Sequence, residues 1–204
     1  MRNKNFKIIV SSILIGLIFS SYISLASFIS SSENIRANVL RLHIKANSDS
    51  DFDQSLKLKV RDEILKVGDG LFSGVKTLDE AVEKSEKTGS VFEETARRVI
   101  KENGCDYPVR VEIGKSFFPV KTYENGVTLP AGDYTAVKIL IGEGKGHNWW
   151  CVMFPPLCLP AAEGEKELSD VLDEDAFNLT KSNPKYEVRF KIAELFEKIC
   201  SKAK

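Results

Sequence analysis

Histidine and tryptophan are scarce in this chain, two of each among 204 residues, and cysteine occurs only four times. No C-x2-C or H-x3–5-H pair occurs, so zinc fingers and ribbons are excluded, and no metal or other cofactor is expected. Net charge is lacking too, 29 Lys+Arg standing against 29 Asp+Glu. A neutral chain has no global attraction for nucleic acid or an acidic membrane, so no nucleic-acid partner is expected. Internal repeats and low-complexity tracts are absent. With 43% hydrophobic and 28% charged residues, neither a disordered chain nor a multi-span membrane protein fits.

The neutrality conceals an uneven layout. Residues 1–26 carry Arg2, Lys4 and Lys7 and no acid, so the remainder has 29 − 3 = 26 bases against 29 acids. Those bases precede an apolar run over residues 8–19, and Ser24 and Ala26 place small residues at −3 and −1 of a cleavage site. This is the pattern of a secretory signal peptide cut after Ala26. The competing reading is an uncleaved anchor over residues 8–29, about 33 Å long as a helix and able to cross a bilayer. Residues 1–26 are therefore read as signal peptide or membrane anchor, and 27–204 as one exported domain, with membrane contact through the N-terminal segment if it is retained.

Beyond the leader, residues 38–46 alternate as a strand. Phe52, Leu56, Val60, Ile64 and Val67 follow at helical spacing, with Asn47-Ser-Asp-Ser-Asp51 as helix-start chemistry. Thr77 and Glu80 form a capping box for a long amphipathic stretch that Gly89-Ser90 is expected to kink or divide. The period then changes to two: residues 107–113, 117–123, 134–141 and 147–154 read as strands separated by Gly, Pro and Asn turns. An acidic linker at 161–185, with a short helix near 168–177, leads to a C-terminal helix through Val188, Ile192, Leu195 and Ile199. The order implies an α+β fold, a single compact domain with a mainly antiparallel sheet covered by amphipathic helices.

Chemistry concentrates in residues 142–158. On a strand, Trp149, Cys151 and Met153 share one face with His147, while Asn148, Trp150, Val152 and Phe154 share the other. If one face stays open, it offers an aromatic patch of the kind enriched at protein interfaces. Cys151 and Cys158 flank Pro155-Pro156, and in an exported protein a disulfide between them is expected. His147 and Cys151 as base and thiol nucleophile would support an exported Cys-dependent hydrolase or transferase acting on cell-wall peptide. On a strand, however, they stand roughly 13 Å apart. Asn47, Asp49, Asp51 and Asp53 alternate like a calcium loop but lack its glycine and its closing glutamate. Gly142, Gly144 and Gly146 fit neither phosphate-binding fingerprint and read as a flexible turn. Arg41, His43 and Lys45 form a basic stripe, read as a solvated strand face.

Two blocks carry a family resemblance. Leu40-Arg-Leu-His-Ile-Lys-Ala-Asn-Ser-Asp-Ser50 with Asp53-Gln-Ser-Leu-Lys-Leu-Lys-Val-Arg-Asp62 is the first. Leu129-Pro-Ala-Gly-Asp-Tyr-Thr-Ala136 with Ile141-Gly-Glu-Gly-Lys-Gly-His-Asn-Trp-Trp-Cys-Val-Met-Phe-Pro-Pro-Leu-Cys158 is the second. Over about residues 38–160 the chain resembles stage II sporulation protein R, a signalling family of endospore-forming bacteria. The resemblance implies a non-enzymatic protein secreted from the forespore into the intermembrane space. There it would activate the membrane-embedded aspartic-type protease, stage II sporulation protein GA, that processes pro-sigma E. With that role, His147, Asn148, Trp149, Trp150 and Phe154 are the expected partner-binding patch, with Arg41, His43 and Asn47 as further candidates; no catalytic residue is expected.

Overall fold

The computed structural model describes residues 2–72, 74–123, 126–157 and 164–181. Helix α1 (Arg2–Asn38) leads directly into β1 (Leu40–Lys45); α2 (Asp51–Phe72), α3 (Leu78–Lys87) and α4 (Gly89–Glu102) follow. Next come β2 (Val109–Phe118), the short β3 (Lys121–Thr122) and β4 (Thr128–Leu129), then β5 (Gly132–Ile141) and β6 (Asn148–Phe154). Helices α5 (Gly164–Val171) and α6 (Glu174–Thr180) complete the described chain, which is α+β.

Local chemistry accounts for most of these boundaries. The Thr77 hydroxyl accepts from the Glu80 N–H at 3.3 Å, and the Glu80 carboxylate returns a bond to the Lys76 N–H at 2.9 Å. Thr88 separates α3 from α4 at the expected break. Asp173 caps α6 by accepting from the Ala176 N–H at 2.7 Å. The strand reading is corrected in one place. Residues 109–118 run as one strand through Gly114 and end at Pro119, which cannot donate to a ladder.

The main sheet has the order β2-β5-β1-β6. β1 lies parallel to β5 and antiparallel to β6, and β2 lies antiparallel to β5. β1 is thus an inner strand, and helices cover both of its faces. On one face Leu42, Ile44, Val137, Ile139 and Cys151 pack with Leu56, Val60 and Ile64 of α2 and Phe92, Ala96 and Val99 of α4. On the other, Tyr134, Ala136, Val152 and Phe118 pack with Phe28 and Ile35 of α1 and Ala176 and Leu179 of α6. The described part of the acidic 161–185 segment is therefore packed against the domain.

Helix α1 has two characters. Its stretch from Phe6 to Leu25 exposes large apolar side chains, whereas Phe28, Ser31, Ser32 and Ile35 are buried in the domain. Residues 5–38 are long and apolar enough to cross a membrane, with mean hydropathy 2.2 in the most apolar window. That apolar helix is compatible with a signal or an anchor segment. Burial begins two residues after Ala26, so cleavage there would leave the packed part of α1 in place. The expected C-terminal helix lies outside the described residues.

Candidate functional site

The end of β1 and the start of β6 are fastened together by loops that are distant in sequence. Asn47 is the hub. Its side-chain N–H donates to Asp53 Oδ2 at 2.8 Å, its Oδ1 accepts from the Glu143 N–H at 3.0 Å, and its carbonyl accepts from the Lys145 N–H at 3.1 Å. Gly146 N–H donates to the Ala46 carbonyl at 3.0 Å. The Asp49 carboxylate accepts from both the backbone N–H and ring Nδ1 of His147. Lys57, buried on α2, donates to the His147 carbonyl at 3.0 Å and to Gln54 Oε1 at 2.6 Å.

The three glycines are what let the loops meet. Gly142 and Gly144 sit at φ +58° and +60°, where side chains are strained. A Cβ on Gly146 would lie 2.1 Å from the Ser48 carbonyl oxygen. The flexible turn expected over 142–146 is instead a fixed one. The acids of the failed calcium loop serve the same fastening. Ser50 caps α2 through the Asp53 N–H at 3.2 Å, and Asp53 receives the Ser48 hydroxyl at 2.6 Å.

Electrostatics follow the bonding. The His147 backbone N–H holds the exposed Asp49 carboxyl below its ordinary range. Burial pushes Asp53 up, but bonds from Ser48 and Asn47 outweigh it and its pKa falls. Burial lowers that of Lys57, with Asp49 opposing.

β6 leaves this knot with its tryptophans on opposite faces. Trp149 is half-buried under the Arg61 guanidinium of α2, 5.2 Å from the ring centroid, and Asp62 holds Arg61 through a 2.6 Å ion pair. Trp150 stacks on His43 at 4.1 Å and meets Phe118 edge-on at 4.7 Å. His43 Nε2 and Asn148 Oδ1 are 2.6 Å apart. Burial lowers the His43 pKa, Asn148 opposes, and Lys138, Lys45 and Arg41 add to the lowering.

The expected patch is thus brought together only in part. His147 is exposed and Asn148, Trp149 and Trp150 are half-buried at one end of β6, but Phe154 is 3% exposed. Phe154 and the cis-linked Pro155 instead wall a cleft of about 790 Å³ with Phe72, Val75 and Val171. The solvated basic stripe is also corrected. Arg41 is 0% exposed and His43 8%, because β1 is an inner strand covered on both faces. Asn47 is half-buried and structural in its bonding.

Cys151 is wholly buried on the α2 face and disulfide-bonded. Its expected partner, Cys158, lies outside the described residues, as does Cys200, while Cys105 is free. His147, exposed and held by Asp49, is not positioned to activate that sulfur. Among the described residues no group of three His, Cys, Asp or Glu side chains is placed to hold a metal. Buried Lys57 and half-buried Arg61 are the tip residues that the strand-centred reading missed. Their i, i+4 spacing on α2 was the available signal, since it puts both on one side of the helix.

What the fold and site define is a small α+β domain, borne on an apolar helix, whose two distinctive sequence blocks are fastened together at one tip. The chain belongs to the stage II sporulation protein R family, whose model matches residues 36–163. It is 40% identical over 134 residues to the stage II sporulation protein R of Bacillus subtilis (strain 168). That match spans 64% of this chain and 59% of the relative's length. No solved structure matches. Membership makes this a sporulation protein.

Proposed function

We propose that this protein is a non-enzymatic signal, secreted from the forespore, that binds and activates the membrane-embedded aspartic-type protease processing pro-sigma E. The observation that carries this reading is the tip. Two blocks nearly a hundred residues apart are spent on holding exposed Asp49 and His147 beside half-buried Asn148 and Trp149 in one fixed arrangement. A preorganised surface of this kind loses little entropy on docking, which is where recognition gains its affinity. Trp149 under Arg61 supplies the aromatic–cation pair that dominates many interfaces. The ligand can activate the protease only by binding its active state better than its resting state.

The test is reconstitution of the full chain beside cells carrying the protease and its pro-sigma substrate. Processing should appear on addition of the wild type. A folded Trp149→Ala protein should lose at least tenfold in apparent affinity, since an interface tryptophan contributes about 2 kcal/mol or more. Unchanged processing by Trp149→Ala and His147→Ala proteins would remove the tip from the interface. No processing with the wild type would remove the proposal itself.

A further inference from the structure

The geometry points to Arg41 as the receptor for a carboxylate that enters past Tyr123. Arg41 projects from the inner strand β1 and has no exposed surface, yet no described acid pairs with it. Its Nη2 donates to the Tyr123 hydroxyl at 2.7 Å. Its Nε and Nη1 have no hydrogen-bond partner among the described residues. Guanidinium nitrogens always carry protons to donate, so these are orphaned donors rather than acceptors at rest.

The surroundings supply attraction without a counter-charge among the described residues. The guanidinium carbon lies 4.2 Å from the Phe118 ring centroid, 4.8 Å from that of Tyr134 and 5.9 Å from that of Tyr123. The Tyr134 hydroxyl is committed as a donor to the Pro130 carbonyl at 2.7 Å. The charged side chains that act on its buried neighbours are cationic: Lys45 and Lys138 on His43, and Arg36 on Tyr134 beside Arg41. Glu112 of β2 is engaged by Lys138 at 2.8 Å. A lone cation withdrawn from water without an anion is among the costliest arrangements in a protein. The opposite face of the same strand carries only Leu40, Leu42 and Ile44, so the fold has no general need of a charge there.

The class of ligand follows from the setting. One cation among three rings matches one negative charge on a flat group, which can lie edge-on to the rings while taking the free N–H donors. A dianionic phosphate would bring more charge than Arg41 neutralises. Tyr123, which accepts from Nη2, is only partly buried, and the buried Tyr134 hydroxyl also hydrogen-bonds the guanidinium, so Arg41 lies one side chain below solvent on the Tyr123 side. This site is separate from the tip and does not depend on the protease reading.

The test uses the full chain in detergent micelles, titrated with sodium acetate, sodium phosphate or sodium chloride at matched ionic strength. Acetate should raise the melting temperature by about 5 °C once it is roughly 100-fold above its Kd, and should move the Arg41 Nε–H resonance. Chloride should do neither, phosphate should act more weakly than acetate, and an Arg41→Met protein should not respond to acetate. A tripeptide with a free C-terminus, compared with its amide and with acetate, tells a chain end from a small acid by which binds tighter. No acetate-specific shift in the wild type, or a shift that survives in Arg41→Met, overturns the assignment. If Arg41→Met does not fold, the wild-type Nε–H resonance decides alone: its failure to move with acetate overturns the assignment equally.

Discussion

Replacing Gly146 by alanine tests whether the tip is held by backbone contact. The new Cβ would lie 2.1 Å from the Ser48 carbonyl oxygen, 2.5 Å from its carbon and 3.0 Å from the Ala46 Cβ. None of these is the end of a flexible side chain, so the 46–48 and 142–146 loops must part by about an ångström to reach ordinary contact. That separation breaks the bond from Gly146 N–H to the Ala46 carbonyl and loosens that from Lys145 N–H to the Asn47 carbonyl. Two hydrogen bonds at about 1 kcal/mol each, with overpacking strain of about 1–3 kcal/mol, place the cost at about 3–5 kcal/mol. Two other glycines serve as controls. Gly144→Ala meets nothing nearer than 3.6 Å but keeps φ +60°, so it should cost about 1–2 kcal/mol. Gly114→Ala, on an open stretch of β2 with nothing within 4 Å, should stay within about 0.5 kcal/mol of wild type. Urea denaturation followed by tryptophan fluorescence ranks the three. The reasoning fails if Gly146→Ala comes within about 1 kcal/mol of Gly114→Ala, or if Gly144→Ala is the worst.

The two tryptophans should separate structure from recognition: Trp150→Ala, losing its stack on His43 and Phe118, should cost about 2–4 kcal/mol in urea, and Trp149→Ala about 1 kcal/mol or less. Equal losses would mean that both are structural. His43 sets a pH dependence. Its folded pKa lies below the unfolded value of 6.5, so the unfolded chain binds the proton first and stability should fall as pH drops below about 6.5. Asp53, also lowered, holds stability that is lost only further down, below its unfolded value near 3.8. Urea midpoints at pH 7.5 and 5.5 should differ for wild type and converge in His43→Gln; a wild-type midpoint that is flat across that window contradicts the burial of a neutral ring. Cys151→Ala, losing a disulfide inside the core, should cost about 2–4 kcal/mol, and native protein should resist alkylation at Cys151 without reductant. Rapid labelling of that sulfur would revive a thiol chemistry.

Most element boundaries were legible because they rest on neighbours in sequence. Thr77 and Glu80, the Thr88–Gly89 break and the period-two stretches each settle within a few residues, whereas the single short helix expected near 168–177 is divided, because Asp173 caps a separate α6 by accepting from the Ala176 N–H. The misreadings share a cause, which is sequence distance. Gly114 looks like a strand end until β5 is laid beside it, and then Pro119 is the true stop. The glycines at 142, 144 and 146 announce a turn, but nothing local says that Gly146 must clear Ser48, or that His147 will reach Asp49 at a separation of 98 residues. Likewise Phe154 alternates with Trp150 as a surface residue would, until α2 and Pro155 close over it.

The stripe of Arg41, His43 and Lys45 shows why alternation misleads most on an inner strand. Period two reports that the faces of a strand differ in chemistry; it does not report that the polar face is wet. Strand β1 lies between β5 and β6, with α2 and α4 over one face and α1 and α6 near the other, so its polar face becomes a second interior. The aromatic side chains that line that interior come from β2, β5, β6 and the segment after β3, none adjacent to β1 in sequence. A strand whose polar residues are buried against aromatics has been kept polar at a cost in stability. That cost falls on the face of the sheet that α1 helps to cover, where the apolar N-terminal helix joins the domain. The inner cation and the membrane-compatible helix therefore meet in one layer, and substitutions at Arg41 should be felt at Ile35 and Phe28 sooner than at the tip.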